Sequence, residues 1–483
     1  MSISGALSNA LSGLTASSRS AEMVSNNIAN ALNEGFARRE LVLGARSLGG
    51  TGQGVAVTGV LRATDQVLLS DRRVAQAGTG DRQTRARFLA NLETAIGTPG
   101  SEGSLTGRVA ALETALIEAT SRPESEGRLA KVADTARALA KQIAGTATSV
   151  QAARAEADHQ IGAAVDQVNA AMARVAEMNI DIRSHLSSGR DPSALMDQRQ
   201  QLIDQIASVV PLREVPREHG QIALFTTGGA VLVDGRASEF GFTTVGVIEP
   251  DMTVGLGGLS GLTLNGLPIA TAGPESTIAG GTLAANFAIR DDLGPDAQAR
   301  LDAVARDLVE RFASLDATVA PGGAGLFTDG GAAFVAADEE GLAQRLRLNA
   351  AADPQQGGAL WRLRDGLGAT SPGPTGNSAL LQALQSALAA PRTPVSGGFL
   401  PGNRSFSALN ADLLSAVGTA RLSADTEASF SAARTEGLKT QELQNGVDTD
   451  RELQDLLQIE KAYSANAKVI QTVDQMLDLL LGI

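Results

Sequence analysis

Residues 447–483 read VDTDRELQDLLQIEKAYSANAKVIQTVDQMLDLLLGI, and the spacing of the apolar residues in this run decides the fold. Leu456, Tyr463, Ile470 and Leu477 make one row; Ile459, Asn466, Val473 and Leu480 make the row beside it. Steps of three and four alternate, which is the spacing of a coiled-coil seam. The other end of the chain repeats the pattern. Ile3, Ala10, Ser17, Val24 and Ala31 share one row, and Leu7, Leu14, Ala21 and Ile28 share the next. Each seam is too narrow to form a core alone, so the two ends pair with each other or with neighbouring copies. The expected fold is mainly α with a β-rich insertion: paired terminal coiled-coil helices, a helical-bundle domain and a small β domain.

Inward from the C-terminal run, Thr449-Asp450-Arg451-Glu452 reads as a capping box that launches the last helix. At the other end, residues 1–33 read as one helix, weakened by Gly5 and Gly13 and stopped at Gly35. The terminal domain is thus 1–35 with 446–483. Residues 36–60 form a Gly-rich connector, irregular or β. Residues 61–210 and 281–445 make a mainly helical body, broken at Gly97-Thr98-Pro99-Gly100 and at Arg122-Pro123-Glu124. Its clearest part lies within 150–210, where Ile161, Val165, Val168, Met172, Val175, Asn179, Ile182 and Leu186 keep four-three spacing. Ser187 to Arg190 makes a turn, Asp191 is a natural N-cap with Pro192 at the first helical position, and Leu195, Leu202, Ile206 and Val209 return. This predicts an antiparallel helical hairpin with Asn179 as a register-fixing polar residue.

Residues 211–280 change period. Ile222, Leu224, Val231 and Val233 alternate around Gly228-Gly229, and Asn265-Gly266 marks a second hairpin turn. This β-rich insertion, bounded by Pro211 and Gly280-Gly281, reads as an outward decoration that a short linker could replace for 213–278. Residues 319–400 are rich in Gly, Pro and Ala and read as mostly irregular, with Trp361 anchoring a minor core.

Composition narrows the function. A chain of 483 residues holds about three domains. Its net charge of -13 and pI of 4.9 leave no basic field for nucleic acid or anionic lipid. No apolar run approaches the roughly 18 residues that span a bilayer. Met1 to Leu14 carries no Lys or Arg and no continuous apolar stretch, so no Sec-type signal peptide is expected there. The absence of cysteine removes disulfides, thiolate metal sites and cysteine nucleophiles. It fits either a reducing compartment or a chain exported unfolded. Aromatic residues, at 3%, are too few to line a large ligand pocket.

A search for reactive chemistry returns no constellation. His159, His185 and His219 stand far apart without metal-ligand spacing. The glycines of 50–54 lack dinucleotide-binding spacing, so a flexible connector explains them better than a phosphate cradle. Asp448 and Asp450 lack the partners of a calcium loop and serve instead as negative charge at a helix N-terminus. Asp191 and Asp197 read as capping and solvated carboxylates rather than a catalytic pair. No catalytic, cofactor-binding or metal-ligating residue is expected.

The ends also carry recognisable motifs. Ala6-Leu7-Ser8-Asn9-Ala10-Leu11-Ser12-Gly13-Leu14, then Asn26-Asn27-Ile28-Ala29-Asn30 and Gly35-Phe36-Ala37-Arg38, resembles the N-terminal signature of bacterial flagellar axial proteins. That signature usually has Thr and Tyr where this chain has Asn33 and Phe36. Gly446-Val447-Asp448 through Leu457, followed by Glu460 to Ile470, is similar to the matching C-terminal signature. Asp197 to Ile206, Gly280-Gly281-Thr282-Leu283 to Asp291, and Leu301 to Phe312 resemble the hook-associated protein 1 family, which joins hook to filament. Rod and hook proteins instead follow the shared N-terminus with mostly β domains.

The resemblance implies a non-catalytic structural role at the hook–filament junction, outside the cell, after type III export. It implies self-association, contact with hook protein and the next hook-associated protein, and an export chaperone. It places the axial interface on Ile3, Leu7, Ala10, Leu14, Val24, Asn27, Ile28, Asn30, Leu456, Ile459, Tyr463, Asn466, Ile470, Val473, Leu477 and Leu480. A hook or rod subunit is the alternative within that class; a flagellum-associated hydrolase or an adhesin lies outside it.

Overall fold

The computed structural model describes residues 3–33, 35–48, 51–98, 101 and 103–481. Helix α1 (Ile3–Ala29) leads into strands β1 (Arg38–Leu48) and β2 (Thr51–Ala63). Helices α2 (Gln66–Ile96), α3 (Leu105–Ser121), α4 (Glu126–Ser187) and α5 (Ser193–Val209) follow. A run of short strands comes next: β3 (Leu212–Pro216), β4 (Ile222–Thr226), β5 (Val231–Asp234), β6 (Arg236–Ala237), β7 (Phe240–Gly241), β8 (Thr263–Leu264) and β9 (Leu267–Pro268). Helices α6 (Thr282–Ala288) and α7 (Gly294–Ala313) flank a π-helical step at Ile289–Leu293. Then come β10 (Phe327–Asp329), α8 (Leu342–Arg345), β11 (Leu346–Leu348), α9 (Arg362–Asp365) and α10 (Ala379–Ala389). Two long helices, α11 (Phe406–Gln444) and α12 (Thr449–Leu481), close the order.

Helix α4 is the spine. Its 62 residues span about 90 Å, and each half serves a different apolar core. Leu129, Leu139 and Ile143 of the first half pack with Leu112 of α3, Phe312 of α7 and Phe406 of α11. Ile161, Val168 and Met172 of the second half pack with Ile206 of α5, Leu224 of β4 and Phe287 of α6. A buried polar belt separates the two. Arg290 is wholly buried, donates to Asp158 Oδ1 at 2.7 Å, and lies 5.3 and 5.0 Å from the ring centroids of Phe242 and Phe287. Such a charge is tolerable there only because it is paired and hydrogen-bonded.

The expected helical hairpin is present. Asp191 Oδ1 accepts from Ser193 N at 2.9 Å, but Pro192 rather than Asp191 takes the N-cap position and the helix starts at Ser193, one residue later than expected. Asn179 does more than set helix register. Its amide donates to Ile222 O at 2.9 Å and accepts from Ile222 N at 3.2 Å, pairing with β4 as a strand would. Asn169 does the same for Phe240 at 2.8 Å in both directions. Asp158 Oδ2 accepts from Val245 N at 2.7 Å. These three residues recur about every three turns of α4, on one face, and fasten the β segment to the spine.

Three expectations are corrected. The β segment forms a sheet ordered β3-β4-β5-β6 and another ordered β7-β8-β9, with Asn265-Gly266 turning the second at φ 50° and 79°. Its ends do adjoin: a Cβ on Gly281 would come 2.1 Å from Val209 O. It is nevertheless no detachable decoration, because Leu224, Val233 and Phe240 complete the second core; removing 213–278 would bare that face of α4. Within 319–400, Leu381, Leu384 and Leu388 of α10 enter the first core, and Leu363 enters it while Trp361 stays half-buried. Small residues and flanking Gly and Pro hide α10 in the sequence. The third correction is the end of α1, at Ala29 rather than Asn33; the 36–60 connector takes its β alternative, an antiparallel ribbon pairing Arg38 with Ala63 through Leu48 with Thr51.

One buried carboxylate makes stability pH-dependent. Asp302 on α7 accepts from Gly341 N at 2.9 Å, Ala343 N at 2.7 Å and Gln298 Nε2 at 2.9 Å. Burial nevertheless pushes its carboxyl up to about 6. A raised carboxyl favours the protonated fold, so its contribution is full below about pH 4 and is lost as pH rises through about 6. Relative to Asp302→Asn, the wild type should lose up to about 3 kcal/mol between pH 4 and 7 in denaturant titrations. Parallel pH profiles for the two proteins would refute this.

Candidate assembly surface

The first and last helices run antiparallel against each other, with Gly13 beside Asn466 and Asn27 beside Glu452. Of the seam residues read from the sequence, Ala10, Val24 and Val473 are buried. Ile3, Leu14, Ile28, Leu456, Ile459, Asn466 and Ile470 are half-buried. Leu7, Tyr463 and Leu477 are more exposed, at the edge, and the side chain of Leu480 lies outside the described residues. Asn30 sits beyond the end of α1, where its amide donates to Asn26 O at 2.8 Å. Gly13, which weakens the helix by propensity, is the point of closest approach. A Cβ there would come 2.7 Å from Asn466 Nδ2.

The base of the pair is polar, and here the expected capping box fails. Asp448 caps α12, its Oδ1 accepting from Asp450 N at 3.0 Å and Arg451 N at 3.2 Å. Glu452 is fully buried and does not cap. Its Oε2 accepts from Asn27 Nδ2 at 3.0 Å and its Oε1 from Arg38 Nε at 2.5 Å. Asn27 also brackets Arg39, accepting from its N at 3.0 Å and donating to its O at 2.9 Å. One buried carboxylate thus joins α1, the β1–β2 ribbon and α12. Its partners lie hundreds of residues away in the chain, beyond the reach of local sequence patterns.

Asp197 is the second pin, and its expected solvated role is also corrected. It is 8% exposed. Its carboxylate pairs with Arg39 Nη2 at 2.6 Å and Arg62 Nε at 2.7 Å, tying the ribbon to α5. Two turns on, Asp204 pairs with Arg72 Nη2 at 2.8 Å and Arg73 Nε at 2.6 Å of α2. Arg72 also meets Glu442 of α11, whose carboxyl burial pushes up. Helices α2 and α11 run antiparallel below the terminal pair, zipped by Thr79 Oγ1 to Ser431 Oγ at 2.9 Å and Thr435 Oγ1 at 2.8 Å.

Helix α12 carries more apolar surface than α1 covers. Leu453, Leu457 and Leu479 lie on the side away from α1, Leu479 at 71% exposed, and Val469 and Met476 are exposed at the edge of the seam beside Val473. Leu11 of α1 is likewise exposed. Long exposed apolar stripes mark interaction surfaces. Among the described residues no cluster of three His, Asp or Glu side chains could hold a metal ion. No described helix is long and apolar enough to cross a membrane.

Comparison with known proteins matches two parts of this architecture. Residues 89–320 match the model of the flagellar hook-associated protein FlgK helical domain. Residues 444–483 match the C-terminal model of the flagellar basal body rod FlgEFG proteins. The central body and the last helix are thus each similar to a part of the flagellar axial proteins. It is 26% identical over 244 residues to flagellar hook-associated protein 1 of Salmonella typhimurium, covering 49% of this chain and 44% of that protein. The protein of the same name from Bacillus subtilis is 24% identical over 240 residues, covering 47% of each. The match therefore spans about half the length of these relatives. The flagellar hook junction protein FlgK of Burkholderia pseudomallei superposes with a TM-score of 0.45 at 20% identity, over 54% of this chain and 46% of that one. The FlgK helical-domain match begins late in α2 and ends after α7, taking in the α4 spine and the β segment fastened to it. The rod-type match covers α12 together with the turn that carries Asp448.

Proposed function

We propose that this chain is a non-catalytic structural subunit of the bacterial flagellum, set at the junction between hook and filament. The observation that carries this reading is the uncovered apolar surface of the C-terminal helix: one side of α12 packs on α1 through Val473, Leu456, Ile459 and Ile470, while Leu453, Leu457 and Leu479 on the other side, with Val469 and Met476 at the edge, remain exposed. A helix apolar on both sides needs a second partner. In a hollow axial array that partner is the terminal pair of the next copy, with hook protein below and the next hook-associated protein above. The body, built on α4, then lies outside the tube. The same reading includes type III export, an extracellular location and a chaperone that shields the stripe before assembly. The match over 89–320 favours a junction protein over a rod or hook subunit, which would share only the terminal pair.

Deletion of the gene should leave complete hooks without filaments, and labelled protein should decorate the distal end of isolated hook–basal bodies. Absent or truncated hooks in the deletion strain would instead make it a hook or rod subunit.

A further inference from the structure

We infer that the cleft at Arg199 is an oxyanion-binding site that takes a carboxylate or phosphate group. The cleft encloses about 240 Å³ between α5, the end of β2 and the loop joining β3 to β4. That is smaller than the usual pocket for a drug-sized ligand and suits one small polar group. Arg199 forms part of its wall and is 7% exposed. One nitrogen, Nη1, is fixed by Asn179 Oδ1 and by Gly220 O, both at 2.8 Å. The guanidinium is therefore held rigidly by two neutral acceptors, and among the described residues it makes no ion pair.

Of the nearby carboxylates, Glu214 shares the cleft wall and its charge favours the Arg199 cation, but neither it nor Asp197 is hydrogen-bonded to Arg199. Asp197 is held by Arg39 and Arg62, and Glu214 by Arg73 Nη1 at 2.8 Å. Arg62, itself a wall residue, adds positive charge beside Arg199. Burial lowers the Arg199 guanidinium to about 10, against the opposing pull of the Glu214 carboxylate. Its Nε–Nη2 edge carries two parallel N–H donors, the fork that matches a carboxylate or phosphate. Gln66 and Gln221 line the same cleft and bring amide donors. A buried, pre-oriented guanidinium with a free donor edge binds an anion without first losing side-chain freedom.

The oxyanion comes from solution or from an Asp or Glu of a second copy, in a chain of net charge -13. The test uses the full-length chain with inorganic phosphate as probe, against sodium chloride at matched ionic strength. Phosphate should raise the melting temperature of the wild type by about 1–2 °C more than that of Arg199→Gln. Equal shifts in the two proteins would overturn the assignment. If Arg199→Gln does not fold, the wild type decides alone. Its Arg199 Nε–H resonance should move saturably with phosphate; a resonance that does not move overturns the site. Sedimentation of the concentrated chain separates the sources. Phosphate that dissociates oligomers identifies a carboxylate of a second copy as the natural occupant. Saturable binding with unchanged sedimentation identifies a free oxyanion.

Discussion

Ile470→Asp and Val473→Asp are each expected to part α12 from α1 and to stop incorporation into the flagellar axis, while residues 61–444 stay folded. Val473 is 6% exposed against α1 and Ile470 is half-buried beside it. A carboxylate there loses its hydration and gains no counter-charge, which costs several kcal/mol at each site. The cost stays local because neither apolar core of the body draws a residue from α12. Circular dichroism should therefore lose only the terminal helices, and the main thermal transition should keep its midpoint. Leu479→Asp provides the contrast, since that side chain faces away from α1. It should leave the helix pair intact and still block assembly. Normal incorporation of Leu479→Asp would show that the outer stripe is not an intersubunit surface. A collapsed main transition in Val473→Asp would show that the terminal pair belongs to the body's core.

What the sequence made legible was periodic. The four-three spacing from Ile161 to Leu186 appears as the second half of α4, and Asn265-Gly266 turns β8 into β9. Both signals are local, set by a helical repeat or by two adjacent backbone angles. What stayed hidden was long-range and polar. Glu452 fits a capping-box pattern, yet Asp448 one residue before Thr449 takes the cap and frees Glu452 to meet Asn27 and Arg38. Asp197 follows a plausible turn and looks solvated until β1 and β2 bring Arg39 and Arg62 to it. Arg199 sits in the same helix with no local sign that its charge is buried. Helix α10 escaped for another reason: within a Gly- and Pro-rich stretch its two turns of leucines, Leu381, Leu384 and Leu388, are too short to rise above their flanks.

Asp197→Ala should loosen the link between the terminal assembly and the body more than any other single polar change at the joint. The carboxylate serves two guanidiniums at once, Arg39 Nη2 at 2.6 Å and Arg62 Nε at 2.7 Å, and also receives Ala37 N at 3.4 Å. Removing it leaves two largely buried cations facing each other without a counter-charge. Loss of one partner from such a pair costs about 3–5 kcal/mol. The apolar side of α5 is untouched, since Ile203 and Ile206 remain in the second core. The loss should therefore appear as faster amide exchange across 38–63, with α4 and the rest of α5 still protected. Asp197→Asn should fall between, because it keeps an acceptor for Ala37 N but brings no charge. A stable Asp197→Ala protein, within about 0.5 kcal/mol of wild type and with unchanged exchange in the ribbon, would mean that apolar contacts between α1 and β2 hold the terminal assembly without this pin. The ribbon would then be a passive connector, and the transmission of load from axis to body would have to run through the α2–α11 pair alone.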